Sequence, residues 1–98
     1  MVYMEELKRL EWDPDKERLN VVKHGVDFRT AAMAFKDPHR RIFHDAHHSQ
    51  NELRYFCFGK IGSRVLTVRF LYTQSGIRII GAGFWRKGRK YYEEKRKI

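Results

Sequence analysis

The apolar residues of this 98-residue chain change their spacing once, at Asp37-Pro38. Before that point they recur every three to four positions, and after it they alternate. The first spacing makes one face of a helix and the second one face of a strand. A chain that switches there builds two helices before a β-meander, and a last helix closes it. Both layers belong to one α+β domain spanning residues 1–98, because a chain of this length makes one modest core and not two.

In the helical half, Asp13 is a helix cap and Pro14 takes the first helical position, where its missing N–H costs nothing. That helix runs to about His24 and stops at Gly25, a natural left-handed cap. Leu19, Val22 and Val26 mark its expected buried side, while Lys16, Asn20, Lys23 and His24 share the polar side. A second short helix is capped by Asp27, carries the stripe Phe28, Ala31, Ala32 and Phe35, and ends at Asp37-Pro38.

In the β half, strands are expected over Arg40–Asp45, Leu53–Lys60, Arg64–Tyr72 and Ile77–Phe84. The short Gly-containing breaks at 61–63 and 73–76 make them hairpin-connected and antiparallel. A final helix is expected over Arg86–Ile98, with a fainter strand signal at Leu10–Trp12. The expected fold is two N-terminal helices and a C-terminal helix packed on an antiparallel β-meander.

With 42% hydrophobic and 14% aromatic residues the chain buries a core, which excludes global disorder. No apolar run approaches the ~20 residues of a membrane span. Met1–Lys8 carries acids where a signal peptide has basic residues. The single cysteine, Cys57, makes no intrachain disulfide. A soluble cytoplasmic domain is expected, with no membrane contact.

The charge is unevenly placed. Residues 1–38 carry 7 basic and 8 acidic side chains, net −1, and residues 39–98 carry 14 basic and 4 acidic, net +10. A local excess of that size marks a polyanion partner, against the plainer alternative of a basic surface kept for solubility. Arg54, Arg64, Arg69 and Arg78 lie on or beside the expected hairpins, where an uncovered sheet face presents guanidinium groups suited to phosphate. Pairing with Glu52 or Asp45 is the structural alternative. In the last segment Arg86, Lys87, Arg89 and Lys90 neutralise phosphates, while Trp85, Tyr91 and Tyr92 either stack on bases or pin the helix to the sheet. His39, His44, His47 and His48 lack the ordered spacing of a zinc motif, so an ordinary surface loop is the default.

Several stretches together carry a resemblance. They are Glu11-Trp12-Asp13 with Lys16, Asn20 followed by Lys23-His24-Gly25-Val26 and Phe28, and Phe35 with Asp37-Pro38. Glu52 with Arg54, Arg64-Val65-Leu66 with Val68, and Arg78-Ile79-Ile80-Gly81-Ala82 follow. From about Leu10 to Glu93 the chain resembles the BrnT toxins of bacterial type II toxin–antitoxin systems, most specifically in the Lys23–Phe28 string after Trp12-Asp13. The resemblance implies a RelE-like ribonuclease fold, RNA cleavage that arrests growth, and a BrnA-type antitoxin partner with a DNA-binding domain. It also implies that the toxin–antitoxin complex represses its own operon through operator DNA. After Arg78-Ile79-Ile80 the family pattern reads Ser-Ala-Arg, whereas this chain has Gly81-Ala82-Gly83. Either Arg86 takes over from the missing arginine or activity is weaker.

Metal-free RNA cleavage, in which a 2′-OH attacks its neighbouring phosphate, needs a base, an acid and cations around the phosphorane, and no cofactor. Arg54, Arg78 and Arg86 are the expected cations, with Arg69 second. Lys23, His24 and Glu52 are the acid–base candidates, with Tyr92 a weaker acid. His24 ends a helix, where the dipole favours the imidazolium and an acid role; a plain helix-end cap fits equally. Arg64, Arg69, Trp85, Lys87, Arg89, Lys90 and Tyr91 are expected to hold RNA. A non-catalytic nucleic-acid-binding domain, or an inactivated toxin, would share the same basic sheet.

Overall fold

A computed structural model describes residues 2–4 and 9–94. The elements are β1 (Val2–Met4), β2 (Leu10–Trp12), α1 (Pro14–His24), α2 (Phe28–Ala32), β3 (Arg41–His44), β4 (Tyr55–Ile61), β5 (Arg64–Tyr72), β6 (Ile77–Gly83) and α3 (Arg86–Glu94). Residues 95–98, the end of the expected last helix, lie outside the described residues. The fold is α+β, but β1, which the sequence does not signal, and β2, only faintly signalled, precede the helices and join the same sheet. One six-stranded sheet has the order β1-β2-β6-β5-β4-β3.

The meander from β3 to β6 is antiparallel throughout. The wholly antiparallel expectation gives way at β2, which runs parallel to β6 with Leu10 opposite Ile77 and Trp12 opposite Ile79. β2 reaches the sheet from the distant start of the chain, so no hairpin dictates its direction. Burial fixes its facing: Leu10 and Trp12, each 1% exposed, enter the same core as Ile79 and Phe70.

That core occupies one sheet face. α2 lies on it with Phe28, Ala31 and Ala32 fully buried. Asp27 caps α2 by accepting a hydrogen bond from the Thr30 amide at 2.7 Å. The expected helix to Phe35 tightens into a 3₁₀ turn over Met33–Lys36. Here backbone meets backbone, since a Cβ on Gly59 of β4 would overlap Ala34. Burial in this core pushes the Cys57 thiol up to about 12.

α1 turns the other way from the expectation. Its caps are as read, with Asp13 accepting from the Asp15 amide and Gly25 left-handed at φ 70°. Val26 is buried, but Leu19 is 61% and Val22 84% exposed, and the helix residue buried is Asn20. β2 ends at Trp12, opposite Ile79, and leaves the edge of β6 unpaired beyond it. The Asn20 amide takes that edge: Nδ2 donates to the Ala82 and Val26 carbonyls at 2.9 Å each, and Oδ1 accepts from the Ala82 amide at 3.1 Å. A side chain continues the ladder where strand is missing. The polar side of α1 therefore faces the sheet.

The opposite sheet face is covered only in part. α3 lies over Phe58 and Val65, with Tyr92 buried between them. Gly88 allows the approach, because a Cβ there would overlap Thr67 Oγ1. Asp37 ties the layers together: it accepts from the Lys60 amide at 2.8 Å, the His39 amide at 2.8 Å and the Tyr92 hydroxyl at 2.7 Å. Burial works against its charge, but these hydrogen bonds prevail and hold the carboxyl below its ordinary value.

Candidate RNA-facing site

The part of this second face that α3 leaves open carries arginines. Arg69 of β5 stands opposite Gly81, and Arg78 of β6 stands opposite Leu71. Regular alternation would put Arg78 and Gly81, three residues apart, on different faces. A register shift at Arg69/Phe70 inserts an extra β6 residue, Ile80, and brings both to one face. Arg69 and Arg78 share a platform because of that bulge.

Beside Arg69 the platform deepens into a cleft of about 190 Å³, whose lining includes Lys16, Lys23 and His24 of α1, Arg69, Gly81 and Trp85. No Asp or Glu lines it. Arg69 has no acidic partner among the described residues. Asn20, anchored on Ala82, sets the distance between α1 and the strand. Gly81 lies at the floor, where a Cβ would make ordinary contacts with Asn20 Oδ1 at 3.7 Å and Arg69 Cδ at 3.8 Å. The His24 ring meets the Trp85 indole edge-on, with centroids 5.0 Å apart and planes at 90°. Three cations and an orientable imidazole therefore surround a space open to solvent, an arrangement suited to a phosphate.

The other expected site residues are distributed around this cleft. Arg78 Nε and Nη2 bind Glu11 Oε2 at 2.9 and 2.8 Å, and the Glu11 side chain is 6% exposed. This guanidinium is held by a buried carboxylate and presents only its remaining edge to solvent. Arg54 Nη2 pairs with Glu52 at 3.1 Å in a loop concavity shared with His47 and His48, outside the cleft lining. The alternative of pairing with Glu52 thus holds for Arg54. Arg64 leaves the expected platform altogether: its guanidinium lies over the Phe84 ring at 3.9 Å, in a groove with Lys60, Arg86 and Arg89. Arg86 belongs to that groove as well and does not line the cleft. Lys90 is exposed on α3. Lys87 borders a further groove, with Tyr91 stacked on Phe58 at 5.6 Å.

Tyr92, expected as a weaker acid, is 1% exposed and donates to Asp37 beneath α3, so it belongs to the core and not to an open site. Its spacing from Trp85 was a packing signal. Among the histidines, His48 Nδ1 contacts Asp45 at 2.9 Å and His47 packs edge-on against His48. The sequence reading placed Lys16 on the right face and gave it no role; the signal for one was its sharing that face with Lys23 and His24.

Gly83 lies under Trp85. A Cβ at position 83 would overlap the indole ring, so Gly83 is the seat of this tryptophan.

A family model described as the ribonuclease toxin BrnT of type II toxin–antitoxin systems matches residues 12–88. No curated protein matches the chain. Among the described residues no helix is long and apolar enough to cross a membrane.

Proposed function

The chain belongs to the BrnT family of ribonuclease toxins of type II toxin–antitoxin systems, and on that premise we propose that it cuts RNA without a metal ion, in the cleft between α1 and β6. The observation that carries this is the convergence of Lys16, Lys23, His24 and Arg69 on one space with no acidic lining. The layering of helices on a β-meander agrees with a RelE-like ancestry.

The chemistry follows from what the reaction lacks in water. The attacking 2′-OH must lose a proton, the leaving 5′-oxygen must gain one, and the phosphorane carries an extra negative charge. Arg69 and Lys16 sit where they neutralise that charge in the cleft, and Arg78, fixed by Glu11, adds a cation on the same sheet face. Fixed cations stabilise the phosphorane without reorganising at the moment of reaction. His24 and Lys23 are the proton-transfer groups on the cleft wall, with His24 oriented by the Trp85 edge. Arg86 and Arg89, in the groove beside Trp85, extend the basic track.

Membership of the family implies an antitoxin partner. We propose a BrnA-type antitoxin whose DNA-binding domain brings the complex to its operator. The exposed Val21 and Val22 offer it an apolar patch on α1 outside the cleft lining. The site of action is the cytoplasm, where RNA is available.

The test is cleavage of single-stranded RNA by the purified chain in excess EDTA. Products ending in a 2′,3′-cyclic phosphate, and no cutting of a strand lacking free 2′-OH groups, are expected. Cleavage that requires an added divalent cation, or that leaves a 3′-OH, would contradict the mechanism. Binding without any cleavage would favour an inactivated toxin.

A further inference from the structure

Trp85 borders three concavities: the cationic cleft, the basic groove of Arg64, Arg86 and Arg89, and a groove between α3 and the open sheet face. We infer that this last groove is a subsite for one unstacked nucleobase of an RNA strand whose phosphates cross the cleft; the inference rests on the RNA-cutting reading above. The groove encloses about 200 Å³. That is below the ~300 Å³ at which drug-sized pockets begin, and suits a single heterocycle. Its walls are the rings of Phe43, Phe56, Trp85 and Tyr91. Aromatic walls hold bases by stacking, because every base has a π-face.

Two further observations point to an occupant. Thr67 lines the groove at 3% exposure, and its hydroxyl has no hydrogen-bond partner among the described residues. That hydroxyl lies against Gly88 of α3 and marks a polar point at the floor of the groove. Lys87 lines the same groove and supplies a charge for the attached phosphate. Trp85 stands between groove and cleft, so the base and the phosphate of one nucleotide are reached on its two sides. Gly83 makes this possible, since any side chain there would displace the indole.

The experiment uses intrinsic tryptophan fluorescence. Trp12 is 1% exposed in the opposite core, so a change on binding reports Trp85. The probes are a short, fully 2′-O-methylated RNA, which cannot be cut, and an abasic strand of equal length. The methylated RNA is expected to quench Trp85 and to bind about tenfold or more tightly than the abasic strand. Gly83→Ala, which displaces the indole, is expected to abolish that difference. Equal quenching and equal affinity for both strands would overturn the subsite. So would the absence of quenching in a protein that still cleaves RNA, a result that leaves the nuclease reading standing.

Discussion

Two side chains decide how the site is built, and each makes a prediction at the scale of single atoms. Asn20 spends its whole amide on Val26 and Ala82. Asn20→Ala leaves a backbone N–H and two carbonyls without a partner, at a cost of about 2–4 kcal/mol in urea unfolding. Asn20→Asp, nearly the same shape, sets a carboxylate against two carbonyl oxygens and should cost at least as much. A neutral outcome for both would mean that α1 is held by something else. Arg78 presents the converse problem. Truncating it strands the buried Glu11 charge, so Arg78→Ala should destabilise the fold by about 3–5 kcal/mol as well as lower activity. Arg78→Lys keeps the charge and should fold near normally, so thermal melting of the two separates structural loss from catalytic loss.

At the scale of elements, the docking of α3 depends on Asp37. Its carboxyl is held below the ordinary aspartate value in the folded chain. The stabilisation is therefore fully present above the unfolded value of ~3.9 and is lost as pH falls through the lower folded value. Tyr92→Phe removes one of the hydrogen bonds and should cost about 1–2 kcal/mol at neutral pH. It should also flatten the acid limb of the stability curve and leave RNA cleavage unchanged. A large loss of cleavage in a folded Tyr92→Phe protein would return Tyr92 to the catalytic list. The elements themselves were largely legible in the sequence. Caps at Asp13, Gly25 and Asp27, the stripe from Phe28 to Ala32, and the alternation along β4 and β5 are local signals with local causes. The facing of α1 was not legible, because it depends on an unpaired edge of β6, 62 residues away in sequence. Nor was the shared platform of Arg69 and Arg78, since a bulge at Ile80 is invisible to a strict period of two. The burial of Tyr92 was half visible: its heptad spacing from Trp85 fitted packing as well as stacking.

At the scale of the molecule, the uneven charge acquires a geometry. The near-neutral residues 1–38 form the supporting helices, yet they contribute Lys16, Lys23 and His24 to the cleft. The basic residues 39–98 supply Arg69, the Arg78 platform and the groove beyond Trp85. The site thus lies at the seam between the two halves, and a count of charges by segment assigned it to one of them. Arg18, exposed on α1 and paired with Asp15, serves as a control cation outside the seam. The most direct measurement is single-turnover RNA cleavage in EDTA by Lys23→Ala, His24→Ala and Arg69→Ala, each checked for folding by thermal melting, beside Arg18→Ala. The cleft variants should lose about a hundredfold or more in rate while Arg18→Ala stays near wild type. Folded cleft variants that cut RNA at the wild-type rate would contradict the account.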